Sequence, residues 1–270
     1  MKRVAVCLHG VNRSLSVTHR SIIDQVVAPW SEIGEVRLYG AFLQPRSGLN
    51  NPRSSEVGVA TESESLRLLP FEQITLIDQD AFDVAADLDR TLAIIPDYYK
   101  DGHSSTKNIF RSLHALNKVH ELATLDADHD YVLFVRPDLF YIDRFDAFRM
   151  VRDLGDLRGC RALTPLWQQW GGLNDRLAIC TPSAAAAFAK RFEQILDFCA
   201  HTDEAIQAER LLLWACMRNG VAFDRFMTER GIRVRATGMF REEQFQERGI
   251  SSLSLEKYKR LATQLGVNQA

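Results

Sequence analysis

The run Tyr131–Tyr141, YVLFVRPDLFY, limits what this chain can fold into more than any other segment. An unbroken series of apolar, strand-forming residues stops at Arg136-Pro137-Asp138, and apolar residues then resume. Such a run predicts a strand buried on both faces, the position strands take in a parallel sheet covered by helices. Pro137 has no backbone N–H and restricts Arg136, so regular pairing is expected to fail at this point. A guanidinium and a carboxylate are thereby placed at the carboxyl end of a central strand, where open α/β sheets bind ligands.

The flanking sequence fits the same sheet. Val4–Leu8 is a short β-branched run ending in a loop, His9-Gly10-Val11-Asn12-Arg13-Ser14. Arg20–Trp30 has a helical pattern interrupted at Pro29, and Glu35–Leu43 predicts the second strand, so the chain opens as β–loop–α–β. Gln44–Val59, rich in Gly, Pro, Asn and Ser, reads as a long surface loop. A short helix over Glu62–Leu69 and a strand over Gln73–Ile77 follow. Thr106–Leu125 is the clearest helix, with Ile109, Leu113, Leu116, Val119 and Leu122 at helical spacing and Ser104 or Ser105 as N-cap. Arg161–Leu166 and Leu177–Thr181 predict later strands, Ser183–Cys199 and Ala205–Asn219 helices, and Arg233–Ala236 a strand that closes the sheet. Ser254–Leu265 predicts a terminal amphipathic helix. The expected architecture is α/β: a mostly parallel sheet in one domain over residues 1–240, with a helical extension over 241–270 packed on it.

Composition narrows the classes. With 270 residues, 46% of them hydrophobic, the chain can bury a full core. A net charge of −2 gives no support for a nucleic-acid or polybasic membrane partner. The five cysteines are dispersed without a CxxC pair, which predicts reduced core residues in a cytosolic protein. The charged start Met1-Lys2-Arg3 precedes an apolar run too short for a signal peptide, and no segment approaches a membrane span.

Several residues could carry chemistry. The HGVNRS segment follows a strand and precedes a helix, a position suited to phosphate, yet it lacks both the dinucleotide and the P-loop glycine patterns. Arg13 could pair with a diphosphate through its planar fork; a solvated surface arginine is the competing reading. Asp126, Asp128 and Asp130 make the most conspicuous acidic pattern, but they precede the strand and belong to its amino edge, away from the ligand crevice. Asp78 and Asp80 follow a strand and lie at the carboxyl edge. Asp138 lies there too, on the most buried-looking strand, and one carboxylate can hold Mg²⁺ or Mn²⁺ when phosphates and waters complete the shell. The alternative is an Arg136–Asp138 ion pair that merely ends the strand. The segment Trp167–Arg176, WQQWGGLNDR, combines flat apolar faces, amides and charges, the groups a sugar ring requires. Asp175 could bind a sugar hydroxyl or accept its proton. Glu209 sits in an otherwise apolar stretch and reads either as a catalytic base or as a helix-surface residue. Lys107 and Arg111 share a helix face that could steer phosphates or simply be solvated. No histidine has metal-ligand spacing, and no serine or cysteine sits in a nucleophile motif.

Taken in order, AVCLHGVNRS, YVLFVRPDLFY, GGLNDRLAICTPSAAAAF and ERLLLWACMRNGV resemble a group of bacterial glycosyltransferase-like proteins of surface-polysaccharide and lipopolysaccharide synthesis. The pieces are short and degenerate, cover most of the first 220 residues, and owe their specificity to order and spacing. The resemblance implies a GT-A-type, Rossmann-like fold that binds a nucleoside-diphosphate sugar with a divalent metal, Mn²⁺ or Mg²⁺. It places Arg13 near the nucleotide, where the position of the HGVNRS segment also puts His9 and Gly10. The resemblance places Arg136 and Asp138 at the diphosphate–metal site, Asn174 and Asp175 near the donor or acceptor sugar, and Glu209 on the acceptor side. Position 136 is Arg where such proteins carry a second acidic residue, so Arg136 could supply the charge a metal otherwise provides. The implied activity is hexosyl transfer to a glycan or lipid-linked hydroxyl, in the cytoplasm and with the tail helix as a candidate peripheral contact to the inner membrane. A nucleotide- or glycan-binding protein without turnover, and a nucleotidyltransferase, remain open as alternatives.

Overall fold

A computed structural model describes residues 1–51, 56–155, 158–223, 226–247 and 249–266. The strands are β1 (Lys2–Val11), β2 (Gly34–Gln44), β3 (Leu49–Asn51), β4 (Glu56–Val59), β5 (Phe71–Asp78), β6 (Tyr131–Val135), β7 (Leu139–Tyr141), β8 (Ala162–Pro165), β9 (Leu177–Cys180), β10 (Phe226–Met227) and β11 (Gly231–Arg233). The helices are α1 (Leu15–Ser21), α2 (Ala28–Ser31), α3 (Gln79–Ala85), α4 (Leu88–Ala93), α5 (Ser104–Asp126), α6 (Ala147–Leu154), α7 (Pro182–Ala189), α8 (Ile195–Thr202), α9 (Ala208–Arg218) and α10 (Ser252–Gln264).

Seven strands form one sheet in the order β10-β8-β9-β6-β1-β2-β5. Only β9 opposes its neighbours β6 and β8; the other strands share one direction. The expected mostly parallel sheet with flanking helices and a helical C-terminal segment is therefore present. The unbroken apolar run of β6 has a direct cause. Val132 and Phe134 face a core completed by Phe110, Leu113 and Leu116 of α5 and by α7 and α9, while Tyr131, Leu133 and Val135 face a second core with Leu15, Ile22 and Trp30. Each such side chain contributes about 1.5–3 kcal/mol on leaving water, so neither face tolerates a polar residue.

Four local expectations need correction. His9 and Gly10 belong to β1, which stays paired with β2 as far as Val11 opposite Leu43. Pro29 does not interrupt the first helix: a π-helical stretch, Ile22–Val27, precedes it, and Ala28 N–H bonds back to Ile23. A widened turn relieves the clash a proline ring makes with the carbonyl of a regular turn. Ser183–Cys199 is two helices separated by a 3₁₀ stretch, Lys190–Gln194, in which Arg191 turns inward and donates to the Phe188 carbonyl at 2.8 Å. The strand at 231–233 does not close the main sheet. It pairs antiparallel with β7, the edge left free once Pro137 has turned the chain out of β6.

The surface loop expected over Gln44–Val59 includes residues 52–55, which lie outside the described residues; its remainder carries the β3–β4 hairpin. The cysteines are free, and Cys7, Cys180 and Cys216 are buried. Among the described residues no helix is long and apolar enough to cross a membrane.

Candidate functional site

Because β1, β2, β5, β6 and β8 are parallel, their carboxyl ends share one edge of the sheet. β9 runs the other way, with Leu177 opposite Val135, so the residues just before β9 arrive at that same edge. Topology alone therefore gathers 12–14, 136–138 and 166–176 together.

Asp138 is the centre of this edge and is buried, 1% exposed. Its carboxylate accepts two bonds from Arg136, from Nε at 2.8 Å and Nη2 at 2.9 Å. Arg13 Nη2 stands 3.2 Å from Oδ2 and, through Nη1, also bonds Glu56 at 2.7 Å. Burial opposes ionisation of Asp138, but Arg136 and Arg13, helped by Arg233, hold it well below the usual carboxylate range. The backbone is equally committed: Thr18 Oγ1 donates to the Pro137 carbonyl at 2.6 Å, and Val234 N–H donates to the Asp138 carbonyl at 2.8 Å.

A second pair of carboxylates comes from separate elements. The 166–176 segment lies on the first turn of α9, with Leu173 N–H donating to the Glu209 carbonyl at 2.9 Å. A Cβ on Gly172 would meet that carbonyl oxygen at 2.1 Å, so only glycine permits the approach. The contact sets Asp175 and Glu209 close enough to interact. Burial, and then the charge of Asp175, push the Glu209 pKa up to about 8. Gln207 Nε2 donates to Glu209 Oε2 at 2.5 Å, and Arg191 Nη2 is 4.0 Å from Asp175 Oδ2.

The remaining sequence candidates have definite places. His9 is buried, with Nδ1 lacking a partner; burial, then the charges of Arg136 and Arg191, lower its pKa to about 3 and keep the ring neutral. Gly10, the penultimate residue of β1, has φ +105°, a conformation that favours glycine. Asn174 is buried and engaged by its own loop, donating to the Trp167 carbonyl at 2.6 Å and accepting from Arg176 N–H at 3.0 Å. Trp167, Gln168 and Gln169 are buried, and Trp170 stands at the surface. Asp126 is far from this edge, tied to Tyr39 and Arg37 at 2.6 and 2.8 Å, while Asp78 caps α3 and Arg111 pairs with Asp83.

Sequence reasoning missed Glu56, Arg233, Arg235, Arg241 and Glu243. Glu56 is fully buried and, besides Arg13, accepts from Ala236 N–H at 2.9 Å. Glu243 pairs with Arg233 and lies 3.5 Å from Arg176 Nη1. A cleft of about 160 Å³ runs between Gln168, Trp170, Arg233, Arg241 and Glu243. Charged residues in a non-periodic segment were the available signal, but nothing local separates one that joins the site from a solvated one.

The donor set does not fit a divalent ion. Three guanidinium nitrogens already claim the two oxygens of Asp138, and Arg13 stands between it and Glu56, the second carboxylate at hand. Among the described residues no group of three or more His, Cys, Asp or Glu is placed to hold a metal. Asp138 as a metal ligand is thus an expectation that the arrangement disfavours, because cationic side chains occupy the ligand positions.

No family model and no curated protein matches the chain. Among solved structures it is similar to the galactosyltransferase LgtC in complex with donor and acceptor sugar analogs, at 16% identity and TM-score 0.41, covering 82% of this chain and 72% of that one. It is also similar to mouse xyloside xylosyltransferase 1 in its apo form, at 9% identity and TM-score 0.40, covering 84% of each chain.

Proposed function

We propose that this chain is a GT-A-type glycosyltransferase that moves a sugar, a hexose in the simplest reading, from a nucleoside-diphosphate sugar to a hydroxyl of a glycan or lipid-linked acceptor. The observation that carries the reading is the Asp175–Glu209 pair set beside clustered guanidinium groups at the carboxyl edge of a parallel sheet. Glycosyl transfer needs a proton acceptor for the incoming hydroxyl and positive charge for the departing diphosphate. Asp175 accepts the acceptor proton. Glu209, which keeps its own proton to higher pH, donates a hydrogen bond to a sugar hydroxyl. Arg136 and Arg13 meet the charge that develops on the leaving oxygen, and His9 and Gly10 line the nucleotide side. Asn174 orders the loop that aims Asp175. Exposed Lys259 and Arg260 on α10 are the groups available to an anionic bilayer carrying a lipid-linked acceptor of surface polysaccharide or lipopolysaccharide.

The test is turnover of a nucleoside-diphosphate sugar panel. Asp175→Asn is expected to stay folded by circular dichroism and to lower kcat by at least about 10²-fold. A panel in which no sugar nucleotide binds or reacts would sink the proposal.

A further inference from the structure

The segment after β10 carries cationic charge into the Asp138 centre. β11 pairs with β7 so that Arg233 is opposite Leu139, one residue beyond Asp138. The chain that follows is pinned from three directions: Val234 N–H to the Asp138 carbonyl, Ser14 Oγ to the Val234 carbonyl at 3.1 Å, and Ala236 N–H to Glu56. Arg235 is held between these anchors and is partly buried. Among the described residues its guanidinium has no hydrogen bond and no ion pair. Burial, and then the charges of Arg13 and Arg233, lower its pKa to about 10. Nε of Arg13 is a further buried donor without a partner. Around the cleft and the Asp138 centre, seven guanidiniums (of residues 13, 136, 176, 191, 233, 235 and 241) stand against five carboxylates (of 56, 138, 175, 242 and 243), with Glu209 keeping its proton. That leaves an excess of two positive charges and donors pointing at nothing.

The geometry points to a metal-independent diphosphate site in which Arg13, Arg136, Arg233 and Arg235 together take the place of a divalent cation. The inference rests on the transferase reading above and names how that site holds its donor. Guanidinium groups keep their charge at all relevant pH values and match phosphate oxygens with paired N–H donors, which a desolvated cluster offers without a metal. A doubly charged diphosphate diester balances the excess. The cleft of about 160 Å³ adjoins this cluster and shares Arg233 with it. The diphosphate accordingly lies on the arginine cluster around Asp138, with the rest of the donor extending towards the cleft.

Isothermal titration of the full chain with UDP, GDP, CDP, dTDP and inorganic pyrophosphate, each in excess EDTA and in excess Mn²⁺, tests this. One nucleoside diphosphate is expected to bind with similar Kd in both buffers, and Arg235→Ala to weaken it at least about tenfold without lowering Tm, since no internal partner is lost. Binding that requires Mn²⁺, or an Arg235→Ala variant that binds normally, overturns the metal-free site and leaves the transferase reading standing. Pyrophosphate binding in EDTA without any nucleotide binding keeps the anion site and overturns the transferase reading. No binding by any probe overturns both.

Discussion

At the residue scale, Asp138 and Glu209 are carboxylates driven in opposite directions by their neighbours. Asp138 is buried with guanidinium partners, so Asp138→Asn leaves Arg136 and Arg13 facing a neutral amide. A loss of about 3 kcal/mol in urea unfolding is expected, because breaking one side of a buried pair strands the other charge. Activity lost in that variant would therefore mix unfolding with chemistry, which is why Asp175 is the cleaner probe. Glu209 has its folded pKa raised from 4.5 to about 8. The native state thus holds the proton more tightly than the unfolded chain, and the stability this gives is complete below about pH 4.5 and lost as pH rises through 8. Glu209→Gln removes that loss. Its unfolding free energy relative to the parent chain is expected to rise between pH 4 and pH 8 by on the order of 2 kcal/mol, read from parallel denaturation series. A flat difference across that range would show that Glu209 titrates normally. Sequence alone nominated Arg13, Arg136, Asp138, Asp175 and Glu209 as separate candidates. It could not nominate Glu56 or Arg235, because their significance is a distance to residues far along the chain.

At the element scale, the 166–176 segment and α9 behave as one unit. Gly172→Ala places a methyl group against the Glu209 carbonyl, so the loop must lift from the helix. We expect about 1–3 kcal/mol of destabilisation, the usual cost of overpacking, and a larger proportional loss of turnover as Asp175 and Glu209 separate. Thermal unfolding and kcat measured on the same preparation check both. The reason for glycine at 172 is close approach to α9, which no local pattern encodes. The same holds for Pro29. The rule that proline breaks a helix is sound for a regular turn, and the π-helical stretch before it removes the conflict. The N-terminus of α5 shows the reverse: Ser104 and Ser105 were the expected caps, but the chain turns at His103 and Asp101 accepts from Ser105 N–H.

At the scale of the whole molecule, the C-terminal segment is part of the body of the protein. Tyr258 of α10 is fully buried, packs edge-on against Trp214 and Phe198 at 5.9 and 6.1 Å, and donates to Glu204 Oε2 at 2.7 Å. Lys257 donates to the Thr202 carbonyl and to Glu204, so part of the basic cluster of α10 is spent on internal contacts. Tyr258→Ala is expected to cost about 3–5 kcal/mol, as large aromatic truncations in cores do, and to appear as a lowered urea midpoint. Residues 243–247 meanwhile reach back to the cleft, with Gln168 Nε2 donating to Glu243 and to the Gln244 carbonyl.

The central strand of the sheet is legible in the residues themselves. Hydrophobic periodicity and Pro137 together specified a central strand buried on both faces and the point where it ends, since burial of alternate faces is written residue by residue. What stands at that end follows from the folded arrangement. Arg233 and Arg235 lie almost a hundred residues from Asp138, in a segment without periodicity. Their segment reaches it because β11 fills the edge that β7 exposes on leaving the sheet, with Val234 N–H on the Asp138 carbonyl. Charge pairing depends on distance through space, and the chain's order does not carry that information.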